Sequence, residues 1–175
     1  GAEEAETANI EGLPGVSVTG VSYRTRRESR RLARLYRPPD GAGFHIALLH
    51  ANVGGDRNHE DYSPCTVEQL REAGFHYWAL GHVHERRTLG DWPAILYPGN
   101  LQGRHARETG ERGVLVVRAE SETGRADAEF VPLQEVRWES VEVPIDGIET
   151  IDALDERLAE AVGDRAEACR PAALV

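Results

Sequence analysis

Short runs of apolar residues alternate with polar and glycine-rich segments along most of this chain. Several runs are rich in β-branched and aromatic residues and are bounded by turn-forming residues, which is typical of β-strands. The continuous run FHIALLH indicates a strand buried on both faces, as in a parallel sheet. The segments that predict strands are GVSVTGVSY (15–23), FHIALLH (44–50), FHYWALGHVH (75–84), AILYPGN (94–100), GVLVVRAE (113–120), AEFVPL (128–133) and EVRWESVEVPI (135–145).

Two other segments carry the signals of α-helices. In TVEQLREAG (66–74), Thr66 is a suitable N-cap, Gln69 can complete a capping box, and Gly74 can end the helix. The segment TIDALDERLAEAVG (150–163) places apolar residues at helical spacing and predicts an amphipathic helix. Those apolar positions are Ile151, Leu154, Leu158 and Val162. The last residues, RPAALV, resemble the start of a further strand.

Arginine dominates a third candidate helix, RTRRESRRLARLYRPPDG (24–41), which Pro38 and Pro39 would end. Leu32, Ala33, Leu35 and Tyr36 supply its apolar face. Four arginines at helical spacing would line another side. These are Arg27, Arg30, Arg31 and Arg34. Such a row could meet phosphate groups, but a solvated helix face explains it more simply.

The order of elements predicts an α/β protein with a mixed sandwich architecture. Short apolar strands come first, then a run of strands with few helices, and then a strand–helix–strand segment. We therefore predict an acidic flexible tail over 1–14, a core over 15–139, and the beginning of a small second domain over 140–175.

Composition narrows the functional classes. The formal net charge is −10, although all 20 basic residues are arginine, so nonspecific binding of nucleic acid by overall charge is not expected. No apolar run reaches the roughly 20 residues of a membrane span. The two cysteines, Cys65 and Cys169, have no metal or redox spacing, which favours a reducing, cytoplasmic setting. The sequence lacks methionine, and we expect it to be a piece of a longer protein.

The candidate chemistry lies in histidines at the ends of two predicted strands. His50 ends the run 44–50, and His82 and His84 form an HxH pair at the end of the run 75–84. Residues two apart on a strand share a face, and imidazoles suit divalent transition metals. Chance pairing and a core role for His50 are the alternatives. Structural or surface roles are expected for the other histidines, His45, His59, His76 and His105.

Three stretches in this order resemble the calcineurin-like metallophosphoesterases, and most of all their DNA-repair exonuclease branch, the SbcD-like nuclease subunits. The stretches are LLHANVGG, YWALGHVHERR and ILYPGNLQGRHARETGERGVLVV. The similarity runs from about residue 16 to 139. It implies the later half of a four-layer αββα sandwich, followed by the start of a small capping domain.

The resemblance also implies a site for two divalent metal ions, most commonly manganese. His50 matches the histidine of the family's fourth motif, and His82 and His84 match those of its GHxH motif. The first three motifs, which supply the carboxylates, an asparagine and the catalytic histidine, are not found in this sequence. No catalytic residue is therefore assigned, and the isolated chain is expected to be inactive. Nearby acids, for which the resemblance gives no role, are Asp56, Glu60 and Asp61.

The function implied by the resemblance is hydrolysis of DNA phosphodiester bonds by a repair exonuclease. A phosphoesterase for small substrates and a non-catalytic module of the same fold are the alternatives. The implied partners are DNA, a coiled-coil SMC-like ATPase subunit and a second copy in a homodimer, with no membrane. Arginines that could contact a nucleic-acid backbone are Arg86, Arg87, Arg104 and Arg107.

Overall fold

A computed structural model of the protein describes residues 4–23, 25, 27–55, 61–168 and 173–174. Its elements, numbered in chain order, are β1 (Glu6–Asn9), β2 (Val16–Gly20), a 3-10 helix (Leu32–Leu35), β3 (Phe44–His50), α1 (Val67–Glu72), β4 (Tyr77–Gly81), β5 (Arg87–Asp91), β6 (Ala94–Tyr97), β7 (Gly113–Glu120), β8 (Arg125–Pro132), β9 (Val136–Arg137), α2 (Ile151–Ala168) and β10 (Ala173–Leu174). None of the described helices is long and apolar enough to cross a membrane.

A six-stranded sheet in the order β1-β2-β3-β4-β6-β5 organises the first part of the chain. Strands β2, β3, β4 and β6 are parallel, and the antiparallel strands β1 and β5 close the two edges. Because parallel strands point the same way, their carboxyl ends meet at one edge of the sheet. The mixed α/β architecture predicted from the sequence is therefore confirmed, whereas the edge strands β1 and β5 were not predicted.

The inner face of the sheet carries the larger core. Alternate residues of β3 and β4 point to this face, where Trp78 is fully buried and its indole N–H donates to the carbonyl of Leu70 in α1 at 3.0 Å. The 3-10 helix contributes Leu32 and Ala33, and the adjoining Tyr36 is also buried. Helix α1 and this short turn thus cover one side of the sheet.

The outer face is covered along only part of its length. Buried residues of its first part, such as Phe44 and Tyr77, pack with Leu115, Val117 and Ala126 of the β7–β8 hairpin. Further along β3, Leu48 is 49% exposed and His50 is also exposed, so the prediction that this strand is buried on both faces is wrong for its end.

The helix predicted over 66–74 is confirmed in detail. The Thr66 hydroxyl accepts from the backbone N–H of Gln69, and the Gln69 side chain accepts from the backbone N–H of Thr66. Gly74 follows the helix at a φ of +86°, a backbone conformation that glycine adopts without strain.

The arginine-rich helix predicted over 24–41 is wrong. Among the described residues of this stretch, only Leu32–Leu35 are helical, as a single 3-10 turn, and those just before it are irregular. Instead of lining a helix, Arg30 forms a two-pronged ion pair with Glu28, at 2.9 Å from Nε and 2.6 Å from Nη2. Glu28 is buried, and a buried carboxylate needs hydrogen-bond partners. Its local pairing with Arg30 therefore competes with a regular helix.

Two compact units are distinguished by their internal contacts: Gly1–Gly99 with Val114–Val131, and Asn100–Gly113 with Pro132–Val175. In the second unit the predicted helix forms as α2, and β9 pairs in parallel with β10. The strand predicted over 135–145 is wrong beyond Val136–Arg137, because its later residues have no partner strand among the described residues. The boundaries predicted at residues 14 and 139 remain predictions.

Candidate functional site

Two of the three predicted histidine ligands meet at the carboxyl edge of the sheet. β3 ends at His50, whose Cα partner on the neighbouring strand is Gly81, and His82 follows directly. The backbone N–H of Ala51 donates to the carbonyl of Gly81 at 3.2 Å, which keeps the two chain segments together past the strand ends. As a result, the ring centroids of His50 and His82 are 5.2 Å apart, with the rings inclined at 70°.

The backbone of His82 adopts an unusual conformation. Its φ is +99°, in a region that residues with a Cβ rarely occupy and that costs free energy. β4 ends at Gly81, so His82 and His84 do not lie on one continuous strand. The chain turns at His82 instead, and the surrounding contacts hold the strained turn in place.

Two glycines make room for this turn. A Cβ on Gly81 would be 2.9 Å from Nδ1 of His50, so a side chain there would displace the imidazole. Gly99 has a φ of +80°, and a Cβ on it would be 2.9 Å from the carbonyl oxygen of His84 and 3.2 Å from the backbone N of Arg86. The glycine of the GHVH segment and that of the YPGN segment therefore support the same loop.

The electrostatic environment favours neutral imidazole at His50. Partial burial lowers its pKa, and the nearby imidazoles of His82 and His84 lower it further, because an added positive charge there is unfavourable. His84 is exposed and lies near enough to His50 to contribute to this effect. A neutral imidazole keeps the nitrogen lone pair that binds a metal ion.

The loop after His50 is fixed by a buried tyrosine at the end of β6. The Tyr97 hydroxyl donates to the carbonyl of Ala51 at 2.6 Å and accepts from the backbone N–H of Val53 at 3.1 Å. Tyr97 is only 1% exposed, so these bonds form in a dry environment. This anchor holds the segment that follows His50 against the sheet.

Sequence reasoning missed two tyrosines that contact the histidines. Tyr62 stacks on His82 with ring centroids 5.3 Å apart, and Tyr23 packs edge-on against His50 at 5.7 Å. Burial raises the pKa of Tyr23 to about 12 and also raises that of Tyr62, so both phenols are neutral at neutral pH. Tyr23 ends the predicted strand segment 15–23 and Tyr62 lies in a polar loop, and no local pattern relates either residue to the histidines.

The donor chemistry fits a first-row divalent ion, since imidazole nitrogens are typical ligands of manganese, iron and zinc. Within the described ranges, however, no group of three or more His, Cys, Asp or Glu side chains is arranged to hold a metal ion. Asp61 is exposed and belongs to no such group, while Asp56 and Glu60 lie outside the described residues. The histidines can thus supply nitrogen donors but need further ligands.

The loop arginines have intramolecular contacts. The guanidinium of Arg86 lies 3.9 Å from the ring centroid of Phe130, and Arg87 pairs with Glu85 at 2.6 Å. Both arrangements leave part of the charge accessible to solvent. In the second unit, the backbone N–H of Arg104 donates to the carboxylate of Glu108 at 2.7 Å. The exposed arginines include Arg27, Arg31, Arg34, Arg86, Arg104 and Arg107.

Three other histidines make structural contacts. His45 is buried, and its Nδ1 lies 2.8 Å from the hydroxyl oxygen of Ser17. The Nδ1 of His76 accepts from the backbone N–H of His45 at 3.0 Å. His105 is exposed beside Glu108, at 3.6 Å. His59, for which a structural or surface role was also predicted, lies outside the described residues.

The chain is similar in sequence to a bacterial metallophosphoesterase. No protein-family model matches the chain. Over 145 residues the chain is 38% identical to a protein of Bacillus subtilis (strain 168) named "Uncharacterized metallophosphoesterase YhaO". The alignment covers 82% of this chain and 35% of that relative, so the chain spans about a third of the relative's length. This similarity supports the assignment of the chain to the metallophosphoesterase superfamily.

Proposed function

We propose that this chain is part of a metal-dependent phosphodiesterase, in which His50, His82 and His84 supply nitrogen ligands. The observation that carries the proposal is the meeting of His50 and His82 where two parallel strands end, with ring centroids 5.2 Å apart. The strained backbone of His82 and the lowered pKa of His50 add support. The relative's printed name supports a phosphoesterase activity.

Bound divalent ions would lower the pKa of a coordinated water and offset the charge that develops on the phosphoryl oxygens. Manganese is the ion that the resemblance favours. The contribution of this chain is to hold the imidazoles in place, through Gly81, Gly99 and Tyr97, while partial burial favours the neutral form of His50. Closely spaced cations also need carboxylate ligands to reduce their repulsion. We assign those ligands to the family's first three motifs, so the 175-residue chain alone should be inactive.

We further propose that a second sheet covers the outer face near His50, as a four-layer sandwich requires. An open groove of about 570 Å³ runs along this face and is lined partly by Leu48, Ala79 and His50. The 49% exposure of Leu48 supports the proposal, because a large apolar side chain gains free energy when it is covered. The strand–helix–strand segment of the second unit would begin a capping domain.

The substrate that we propose is DNA, cleaved by an SbcD-like repair exonuclease that works with an SMC-like ATPase as a homodimer. Support comes from the motif resemblance and from exposed Arg86 beside the GHVH segment. A small phosphoester is the second candidate. The net charge of −10 favours it, because an acidic protein repels a nucleic-acid backbone outside any local basic surface.

The decisive experiment uses protein produced from the complete reading frame. Manganese-dependent hydrolysis of linear DNA and of bis(p-nitrophenyl) phosphate would be measured with wild type, His84→Ala and the exposed control His105→Ala. We expect DNA hydrolysis that His84→Ala abolishes and His105→Ala preserves. Hydrolysis of the small diester alone would overturn the DNA assignment in favour of the second candidate. Activity unaffected by His84→Ala would overturn the metal-ligand role.

A further inference from the structure

Tyr62 is the central ring of a cluster that surrounds the two adjoining histidines. Its ring is nearly parallel to that of His82, with an interplanar angle of 25° and a centroid distance of 5.3 Å. It also meets His50 edge-on, at 5.2 Å and 76°. Tyr23 completes the cluster by packing edge-on against both Tyr62 and His50. The Tyr62 ring therefore contacts both imidazoles, that of His82 by stacking and that of His50 edge-on.

The backbone at Tyr62 and Ser63 is bonded to other segments of the chain. The carbonyl of Tyr62 accepts from the backbone N–H of Asn52 at 2.7 Å, and Asn52 is fully buried two residues after His50. Ser63 is also fully buried: its N–H donates to the carbonyl of Glu28 at 2.7 Å, and its hydroxyl accepts from the N–H of Leu32 at 3.2 Å. Tyr62 is thus carried by a segment that is bonded to the core.

A ring held in this way restricts how the imidazoles can turn. The side chain of an exposed histidine normally samples several rotamers, and ordering it costs conformational entropy when a ligand binds. Stacking on Tyr62 limits rotation of His82 about its side-chain bonds, and the edge contact limits that of His50. Residues that orient metal-binding histidines commonly act through hydrogen bonds, and aromatic packing can restrict an imidazole as well.

We propose that Tyr62 is a positioning residue that pre-orders the imidazoles of His50 and His82 for a divalent metal ion. The inference rests on the proposed function for the metal itself, while the ordering of the rings is a property of the metal-free chain. Because the contact uses the ring and not the hydroxyl, phenylalanine should replace tyrosine and leucine should not.

The test compares Tyr62→Phe and Tyr62→Leu with wild type and with Trp92→Leu, a control in which a partly exposed aromatic ring that packs against His76, and not against His50 or His82, is removed. Mn²⁺ affinity is measured by calorimetry on the 175-residue chain. Imidazole proton shifts are measured by NMR on the metal-free chain. Tyr62→Leu should weaken Mn²⁺ binding by about tenfold or more and shift the His50 and His82 resonances through lost ring currents. Tyr62→Phe and Trp92→Leu should leave the Mn²⁺ affinity and the His50 and His82 resonances close to wild type.

Unchanged imidazole shifts in Tyr62→Leu would overturn the inference, as would Mn²⁺ binding as tight as in wild type. If Tyr62→Leu fails to fold, nuclear Overhauser contacts between Tyr62 and both imidazoles in the metal-free wild type decide instead, and their absence overturns the proposal. If His50→Ala does not alter Mn²⁺ binding, the proposed role of His50 as a metal ligand is wrong, whereas the ordering of the rings by Tyr62 is unaffected. The NMR result on ring ordering is independent of that outcome.

Discussion

Gly81 lies against the imidazole of His50, so closely that a Cβ built on Gly81 would be only 2.9 Å from Nδ1 of His50. The two residues are Cα partners on adjacent parallel strands, and the missing side chain on one leaves space for the ring of the other. The glycine that precedes the HxH pair is thus explained by the histidine on the neighbouring strand. This packing brings together groups that are 31 residues apart in the sequence.

Replacing Gly81 by alanine should therefore disturb the metal site more than the fold. The three atoms nearest to the new methyl group all belong to the His50 ring, so the first group to be displaced is an exposed side chain. We expect Mn²⁺ affinity to fall by about tenfold, as when a supporting residue of a metal site is lost. Calorimetric titration of the chain measures this change.

Gly163→Ala is the matched control for that experiment, because a Cβ on Gly163 meets no atom within 4 Å and the residue lies in helix α2. This variant should bind Mn²⁺ as wild type does and should be slightly stabilised by the better helix former. Equal Mn²⁺ affinities for Gly81→Ala and wild type would show that His50 takes no part in binding.

Gly99→Ala should destabilise the protein more than Gly110→Ala does. Both glycines have a φ of +80°, so alanine brings a similar backbone penalty of about 1–2 kcal/mol at each position. A Cβ on Gly110 meets open space, whereas one on Gly99 would be 2.9 Å from the carbonyl oxygen of His84. Urea unfolding measures the two free energies, and equal losses would exclude close packing of Gly99 against the histidine loop.

The ion pair between Glu28 and Arg30 should make stability depend on pH in the acid range. Hydrogen bonds from the Arg30 guanidinium lower the pKa of Glu28, and burial offsets this only in part. A carboxyl whose pKa is lower in the folded state contributes stability above its unfolded pKa and loses that contribution as the pH falls through its folded pKa.

We expect the free energy of unfolding of wild type to fall more steeply below about pH 4.5 than that of Glu28→Gln, given the ordinary pKa of glutamate near that value. Arg30→Gln should flatten the acid part of the curve in the same way, since it removes the group that lowers the pKa. Unfolding curves that keep the wild-type slope in both variants would contradict a stabilising role for the pair.

The parts of the fold that could be predicted from the sequence are those determined by local pattern. The buried strands β3 and β4 and the capped helix α1 follow from apolar runs and from the Thr66 and Gln69 pair. The edge strands β1 and β5 lack such patterns, because edge positions are partly exposed and their sequences are mostly polar.

The site residues that could be predicted are those whose side chains suit metal binding and which follow a predicted strand. His50, His82 and His84 stand out because histidines follow apolar runs, but the positive φ of His82 depends on tertiary contacts. Tyr62 could not be found, since it comes from a polar loop and reaches the histidines through nonlocal backbone bonds. The helix predicted from the arginine row did not form for a related reason. Arg30 pairs with Glu28, and this contact cannot be seen in the spacing of the arginines.

The most direct test of the central claim is a calorimetric titration of the 175-residue chain with Mn²⁺. Wild type would be compared with His50→Ala, His82→Ala and His84→Ala, and with His105→Ala as an exposed control. We predict weak binding of a single ion, reduced at least about tenfold by each of the three site substitutions and unchanged by His105→Ala. Two tight Mn²⁺ sites, or an affinity that none of the three histidine substitutions changes, would contradict the proposed metal site.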